Sequence, residues 1–281
     1  MIEHKKSARA FPHIVLWLAI LIIIFPLYFV FVASTRTSAD ILSAPMPIFP
    51  GTHFIENYGR ALTEGTKNLG ASAFTMMKNS FIMAMGISIG KIGVSLLAAF
   101  AIVFFNFPGR KFCFWAIFIT LMLPVEVRIM PTYKVISDLG LLNTYAGLIL
   151  PMIVSATAVF LFRQFFLSIP REIVEASQID GAKPMEFFGS ILVPMTRTPI
   201  AAMFVIQFIY GWNQYLWPLL ITTKREFYTL LIGINRMMSA ADQHIEWQIV
   251  MATTLLALIP PVLVVIVMQK QFVAGMTETE K

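Results

Sequence analysis

The sequence predicts an all-α membrane protein with about six transmembrane helices. Hydrophobic residues make up 58% of the 281 residues and charged residues only 13%. A soluble domain is about half apolar and about a quarter charged. Apolar segments of about 20 residues, the length that crosses a bilayer, also recur along the chain. Lipid is therefore the expected solvent for much of the apolar surface.

The predicted spans account for most of the apolar sequence. We place them near residues 12–34, 79–105, 112–133, 140–162, 199–221 and 246–268. The first span follows three basic residues, as a signal peptide would. Its apolar run is longer than that of a signal peptide, and no clear small-residue cleavage site follows it. We therefore expect an uncleaved span.

The distribution of basic residues predicts the orientation of the spans, because cytoplasmic loops carry an excess of Lys and Arg. One side collects Lys5, Lys6, Arg9, Arg110, Lys111, Arg163, Arg171, Lys183, Arg197 and Lys270. The other side has Arg36, Arg60, Lys67, Lys78, Lys134, Lys224, Arg225 and Arg236. This modest bias predicts cytoplasmic tails at 1–11 and 269–281, a periplasmic loop at 35–78, and a five-helix core at 79–268 with a cytoplasmic loop at 163–198.

The composition and motifs argue against nucleic-acid binding, metal binding, nucleotide hydrolysis and catalysis. The net charge is +6, but the 21 Lys and Arg residues are scattered and form no basic stripe for nucleic acid. Cys113 is the only cysteine, and the four histidines lie far apart, so we expect no disulfide and no metal site. No stretch matches a full phosphate-binding loop, and no catalytic constellation is recognisable. "GISIGK" (Gly86 to Lys91) fails as such a loop, and Gly86, Gly90 and Gly93 instead predict close helix packing.

A polar segment, "REIVEASQIDGAKP", interrupts the apolar chain between the fourth and fifth predicted spans. Ser168 is the expected N-cap of a short helix, Pro170 lies near its first turn, and Gly181 is expected to end it. Ile169, Ile173, Ala176 and either Ile179 or Asp180 recur at helical spacing and form a mainly apolar stripe. A second short helix is expected from Met185 to Val193, ended by Pro194.

Two interpretations of this amphipathic helix follow from its pattern alone. It could lie on the lipid headgroups as an interfacial helix. Its exposed face is mixed in charge, however, and its end is sharp. A short rigid helix of this kind also fits a groove in a partner protein.

The same segment resembles a signature of the membrane permease subunits of bacterial ABC importers. Glu175-Ala176-Ser177, three residues, Gly181, nine residues and then Ile191-Leu192-Val193-Pro194 are similar to the family pattern E-A-A-x3-G-x9-I-x-L-P. Ser177 and Val193 depart from it by small or apolar exchanges. "LPVEVRIMPTYKVISDLGLLNTYAGLILP", "FRQFFLSIPREIVEASQIDGA" and "FIYGWNQYLWPLLI" extend the resemblance to the carbohydrate-importer branch, the maltose-permease type.

The resemblance implies a type I ABC-importer permease fold with a cytoplasmic coupling helix. It assigns the contact with an ATPase to Glu175, Ala176, Ser177, Asp180 and Gly181. It also implies a homologous second permease, a dimer of ATP-binding subunits and a periplasmic substrate-binding protein. ATP and Mg would be used by the ATPase, and no cofactor would be bound by this chain.

The expected substrate follows from a resemblance to one group of permeases within this family. "TLMLPVEVRIMPT", "YGWNQYLWPLLIT" and "GTHFIEN" are similar to permeases of sn-glycerol-3-phosphate importers. An importer of a sugar or oligosaccharide is the alternative within the family. An ion-driven secondary transporter is the alternative outside it, but no internal repeat of the kind such proteins contain is evident.

Polar residues within the predicted spans are candidates for the translocation path. Lys91, Glu126 and Arg128 each cost at least a few kcal/mol in a bilayer unless paired or hydrated. They could line a path for an anionic substrate, or form structural ion pairs within the bundle or with a partner permease. Asn213 and Gln214 could line the same path or make interhelical hydrogen bonds.

Overall fold

The computed structural model describes the backbone of residues 6–120, 123–239 and 245–277, and the side chains of these residues except at 6–11, 125–126 and 271–277. The regular structure in this part of the chain is helical, without a β-strand, as predicted. The helices are α1 (Lys6–Ser34), α2 (Ser38–Leu42), α3 (Phe54–Thr63), α4 (Ala73–Phe104), α5 (Arg110–Ile119), α6 (Val125–Asp138), α7 (Tyr145–Ile149), α8 (Ala156–Leu167), α9 (Arg171–Ile179), α10 (Pro184–Phe187), α11 (Val193–Met195), α12 (Arg197–Trp212), α13 (Leu216–Ile221), α14 (Leu230–Met238) and α15 (Trp247–Thr277).

Among the described residues, three helical segments are long and apolar enough to cross a membrane: Pro12–Ser34, Ala73–Phe104 and Trp247–Lys270. Two bent helix pairs reach the same criteria together. Tyr145–Met152 and Ala156–Leu167 meet at 50°, and Pro184–Met195 and Arg197–Trp212 meet at 74°. By length and composition, the described chain therefore has three to five candidate spans.

The third predicted span, 112–133, is not one continuous helix. It corresponds to α5 and α6, which lie on either side of Pro124. Proline lacks a backbone N–H and clashes with the preceding turn of a helix, so it stands here as the N-cap of α6. Residues 121–122 lie outside the described part of the chain.

One compact unit contains residues 1–76 and 233–259. The Arg36 guanidinium donates to the Phe49 backbone oxygen, with Nη2 at 2.6 Å. The Asn57 side chain donates to the backbone oxygens of Ser34 and Arg36, both at 2.9 Å. The Arg36 bond holds the segment 44–53, and the Asn57 bonds hold α3 against the end of α1. The segment 44–53 is non-helical, as the prolines of "APMPIFPGTHF" predict.

Glu246 joins the two sequence segments of this unit. Its carboxylate accepts hydrogen bonds from Arg60 Nη2 at 2.5 Å and from the backbone N–H of Lys67 at 2.9 Å. Burial of the carboxylate favours its neutral form, but the Lys67 N–H and the Arg60 guanidinium outweigh that effect and hold the pKa of Glu246 below its usual value. The carboxylate therefore stays ionised as it anchors the 60–67 segment.

The second compact unit contains residues 77–232 and 260–281, and the described part holds two apolar clusters. One joins the second half of α4 to α8 and α10 through Phe100, Phe162, Phe166 and Phe187, and Val174 of α9 packs against it. The other joins the middle of α4 to α6, α7 and α13 through Met83, Ile87, Ile136, Leu148 and Trp217. Helix α4 is the common element of both clusters.

Glycines allow close approach of helices to α4. A Cβ added at Gly86 would lie 2.6 Å from Ile149 Cδ1, and one added at Gly90 would lie 2.5 Å from Ile153 Cγ2. The predicted packing role of these two residues is confirmed. The prediction for Gly93 is wrong, because a Cβ added there would meet nothing within 4 Å. Gly211 of α12 faces the α4 backbone, with Ala84 Cα 2.9 Å from its added Cβ.

This packing predicts that Gly211→Ala destabilises the protein, while Gly93→Ala does not. The Gly211 methyl group would push against backbone, which costs about 1–3 kcal/mol for an overpacked site. The Gly93 methyl group would enter open space and gain up to about 1 kcal/mol of helix propensity. Thermal unfolding of the two purified variants measures the difference, and equal melting temperatures would contradict the packing argument.

Candidate coupling helix and translocation cavity

Helix α9 has a sharply defined end. Asp180 is the C-cap, and Gly181 follows with φ +78°, a left-handed conformation that glycine adopts without steric cost. The N–H of Gly181 donates to the Gln178 oxygen at 3.1 Å, and the N–H of Ala182 donates to the Ser177 oxygen at 3.0 Å. This pair of bonds is a Schellman motif, so the predicted end at Gly181 is confirmed.

The beginning of α9 differs from the prediction. Pro170, rather than Ser168, occupies the N-cap position. Ser168 instead caps the C-terminus of α8, and its hydroxyl donates to the Phe165 oxygen at 2.7 Å. Because proline already has a φ value suited to a helix start, the chain begins α9 directly after it.

The buried face of α9 is narrower than the apolar stripe predicted. Ser177 is buried, with 6% exposure, and its hydroxyl donates to the Val174 oxygen at 2.7 Å. Val174 packs against the apolar cluster below the helix. Ala176 and Ile179, predicted to lie on the buried stripe, are exposed, and Ile179 is 86% exposed.

The exposed face of α9 combines acidic and apolar groups. Glu175, Ala176, Asp180 and Gly181 are exposed in this chain, together with Ile179. Of the residues predicted to contact an ATPase, only Ser177 faces inward. The other four form, with Ile179, one accessible surface that we call the α9 face.

An aromatic cluster lies beneath α9 and connects it with the long helices. The Phe104 ring of α4 lies 5.9 Å from Phe166 of α8 and 5.4 Å from Phe187 of α10, between centroids. The Phe100 ring lies 4.9 Å from Phe188. Close packing of this kind deforms little under load, so a displacement of α9 would be passed to the ends of α4 and α8.

The helical segment after α9 also differs from the prediction. It begins at Pro184, contains a π-helical turn at Phe188–Leu192, and continues through Pro194 to Met195. The chain then bends by 74° into α12. Pro194 thus lies inside the segment rather than ending it. The π-helical turn ends at Leu192, two residues before Pro194, which has no backbone N–H to donate.

Two of the predicted path residues line a common cavity. Arg128 of α6 and Gln214 lie at a cavity of about 110 Å³, together with Thr132, Pro151, Met152, Tyr210 and Trp217. The Gln214 side chain donates to the Tyr210 oxygen at 3.1 Å. Trp217 is buried, and its indole N–H donates to the Gly147 oxygen at 3.2 Å. The polar lining consists of a cation, an amide and two hydroxyl groups.

Lys91 lies behind this cavity rather than on its surface. Its side chain is 6% exposed, and Nζ lies 3.7 Å from the centroid of the Tyr210 ring. A cation held over an aromatic face in this way is stabilised by the ring quadrupole. Tyr210 therefore connects Lys91 with the cavity, a role that the sequence analysis missed although Tyr210 precedes the polar pair in "YGWNQ".

The remaining predicted path residues are not brought to the cavity. Asn213 is exposed at the C-cap of α12 and is not among the lining residues. Glu126 belongs to α6, but its side chain lies outside the described residues. The structure therefore brings together Arg128, Gln214 and, through Tyr210, Lys91.

Two interruptions of helices meet at the cavity. Pro151 and Met152 precede the 50° bend between α7 and α8, and Gln214 lies in the break between α12 and α13. Irregular backbone at membrane depth is tolerated where it is buried in protein or lines an aqueous cavity, and discontinuous helices frequently form substrate sites. Among the described residues, no group of three or more His, Cys, Asp or Glu side chains is arranged to hold a metal ion.

Comparison with known proteins places the chain in a class of transport proteins. Residues 91–278 match the model of the family described as binding-protein-dependent transport system inner membrane component. The chain belongs to this family.

The full-length relatives compared with this chain are permease proteins of sn-glycerol-3-phosphate transport systems. The chain is 56% identical over 282 residues to the sn-glycerol-3-phosphate transport system permease protein UgpE of Agrobacterium fabrum, and 53% identical over 281 residues to UgpE of Escherichia coli O1:K1, with complete coverage of both chains in each case. A solved structure of a bacterial ABC transporter involved in the import of the acidic polysaccharide alginate matches 97% of this chain with a TM-score of 0.82 at 20% identity. This similarity establishes a shared type I importer permease fold.

The left-handed end of α9 makes Gly181 sensitive to substitution. Gly181→Ala would place a Cβ on a residue with φ +78°, which costs about 1–2 kcal/mol, and would fray the Schellman turn. Gly189→Ala is the matched control, because its added Cβ also meets nothing within 4 Å and no left-handed φ is involved. Hydrogen exchange at the amides of residues 181 and 182 should be about tenfold faster in Gly181→Ala and unchanged in Gly189→Ala. Equal rates in both variants would contradict this assignment of the turn.

Proposed function

We propose that this chain is a transmembrane subunit of an ATP-driven, binding-protein-dependent importer of sn-glycerol-3-phosphate and related glycerophosphodiesters. The substrate assignment is supported by 53–56% identity over the full length to proteins named for sn-glycerol-3-phosphate transport. The coupling role is supported by the exposed α9 face on a closely packed aromatic cluster. No catalytic role is assigned to this chain.

The partners follow from the same proposal. A homologous second permease, similar to UgpA, would complete the membrane channel. A dimer of ATP-binding subunits, similar to UgpC, would hydrolyse ATP with Mg at the cytoplasmic side. A periplasmic binding protein, similar to UgpB, would deliver substrate to the outer segments 35–78 and 222–245.

In the proposed orientation, the chain crosses a bacterial inner membrane with both termini and the 163–198 segment on the cytoplasmic side. Basic residues support it, since more of them fall on this side in the predicted topology. The α9 face then projects toward the cytoplasm. A groove in an ATP-binding subunit is the partner that a short helix of this kind fits.

The mechanism is alternating access driven by movement of α9. Closure of the ATP-binding dimer displaces the α9 face. Val174 passes the displacement from α9 to the apolar cluster, and the contacts of Phe104 with Phe166 and Phe187 pass it on to α4, α8 and α10. Because packed helices move as rigid bodies, the bundle switches between inward- and outward-facing states. Arg128 presents positive charge in the cavity during the passage of the anionic substrate.

Removal of the Arg128 charge tests the path. Arg128→Gln is expected to lower uptake of glycerol-3-phosphate about tenfold, the effect of losing one charge-assisted hydrogen bond. Uptake is measured in proteoliposomes that contain the assembled importer, with maltose as the competing sugar substrate.

Lys134→Gln is the matched control for Arg128, because Lys134 lies in the same helix and pairs with Asp138 at 3.3 Å on an exposed surface. It should leave uptake unchanged. Normal uptake by an assembled Arg128→Gln importer would remove Arg128 from the path. Preferential uptake of maltose would contradict the substrate assignment and leave the coupling role intact.

A charge on the α9 face tests the coupling contact. Ile179→Asp is expected to reduce substrate-stimulated ATP hydrolysis roughly tenfold. A charge in place of an apolar interface residue makes the free energy of binding less favourable by more than about 1 kcal/mol, and weaker binding of the ATP-binding subunit would lower its stimulation. Ile179 is 86% exposed, so the fold should be unaffected. Ile179→Met is the conservative control and should retain stimulation. Full stimulation in the Asp variant would contradict the contact.

A further inference from the structure

A second cavity lies apart from the translocation cavity, where the end of α4, the beginning of α5 and the end of α8 meet. Its volume is about 400 Å³, and its polar lining is formed by Arg110, Lys111 and Arg163. Phe114 and Trp115 of α5 supply aromatic walls. Neither the coupling contact nor the substrate path uses these side chains.

The three cations lack acidic partners in the described part of the chain. The ion pairs found there join Arg60 to Glu64 and Glu246, and Lys134 to Asp138. None of them involves a residue of this cavity. Arg110 Nη1 donates to Asn106 Oδ1 at 3.1 Å and to the Phe105 oxygen at 3.4 Å, which neutralises no charge. As far as the described residues extend, the cavity therefore concentrates positive charge that no carboxylate compensates.

Arg163 indicates that an acceptor belongs in the cavity. Its guanidinium lies 4.2 Å from the centroid of the Phe114 ring, which fixes its plane. Its Nε is buried and makes no hydrogen bond within the described residues. A buried donor without an acceptor costs about 1–3 kcal/mol, so an anionic oxygen from outside the chain would relieve this cost.

The surroundings of the cavity favour a lipid headgroup as the source of that oxygen. Phe112 and Trp115 of α5 are 76% and 57% exposed. Aromatic side chains of this kind concentrate at the membrane interface, where one end meets acyl chains and the other meets headgroups. Basic pockets between transmembrane helices on the cytoplasmic side are suited to the phosphates of anionic lipids.

We propose that the cavity formed by Arg110, Lys111 and Arg163 binds the phosphate of an anionic phospholipid. The assignment to the inner leaflet rests on the orientation given under the proposed function, whereas binding itself does not. Arg163 lies in α8, and α9 begins only a few residues after α8 ends. A bound headgroup would thus fix the end of α8 next to the coupling helix.

Native mass spectrometry of the assembled importer tests this proposal independently of transport. The complex is titrated with phosphatidylglycerol and, separately, with phosphatidylcholine of the same acyl chains. Retention of phosphatidylglycerol in preference to phosphatidylcholine is expected. Arg163→Gln and Lys111→Gln should each lower the apparent affinity for phosphatidylglycerol about fivefold, the contribution of one basic residue near an anionic headgroup.

Lys111 is exposed, so its variant should fold even if Arg163→Gln does not. Lys270→Gln is the matched control, because it removes an exposed cation that is not part of the cavity lining, and it should retain lipid as the unmodified chain does. Equal retention of both lipids, or equal loss in all three variants, would overturn the proposal.

Two other occupants would give distinct results. Saturable retention of inorganic phosphate that Arg163→Gln abolishes, without selectivity between the lipids, would assign the cavity to a soluble anion. Release of a partner subunit by Arg163→Gln, with the lipid count unchanged, would assign it to a protein contact. Either result would overturn the lipid assignment.

Discussion

The packing of phenylalanine rings beneath α9 is the interaction on which the functional account depends. A surface helix can transmit a displacement only if its inner face is fixed to something rigid. Val174 of α9 packs against this cluster, in which the Phe104 ring contacts Phe166 of α8 and Phe187 of α10. The exposed acidic and apolar side chains of α9 would have no mechanical consequence without this cluster.

The second constraint is the cost of polar groups in the membrane. Lys91 is buried over the Tyr210 ring, and Arg128 faces a cavity bordered by two helix breaks. Interrupted helices leave backbone groups unpaired, and these are tolerated only beside protein or water. The helix breaks thus border the cavity that Arg128 faces, whereas the Tyr210 ring accommodates Lys91. Helix α4 contributes to both apolar clusters, one beneath the proposed coupling helix and one beside the candidate translocation cavity.

Much of this architecture could be predicted from sequence where a local rule decides the structure. Gly181 ends α9 because a left-handed residue is needed there, and Gly86 and Gly90 lie at close helix contacts. The prediction was wrong where contacts between helices determine which side chains are buried. Ile179 has the spacing of a buried residue, yet it is 86% exposed, whereas Val174 packs against the cluster and Ser177 is buried.

The effects of two prolines also could not be predicted from the sequence alone. Pro124 divides the third predicted span, whereas Pro194 is absorbed within a helical segment that contains a π turn. Both residues remove a hydrogen-bond donor, and the surrounding packing determines whether the helix stops or deforms. Tyr210 could not be assigned to the cavity from its position in the sequence, since its contact with Lys91 joins residues from two different helices.

Coupling through α9 requires that the α9 face contact a separate ATP-binding subunit. Cross-linking from a single cysteine at Asp180, introduced by Asp180→Cys in a chain with Cys113→Ser, tests it most directly, because Asp180 is exposed and Cys113 is the chain's one natural cysteine. We expect a cross-link to the ATP-binding subunit in the active assembly, with a yield that changes when nucleotide binds. An active, fully assembled importer that never yields this cross-link would contradict it.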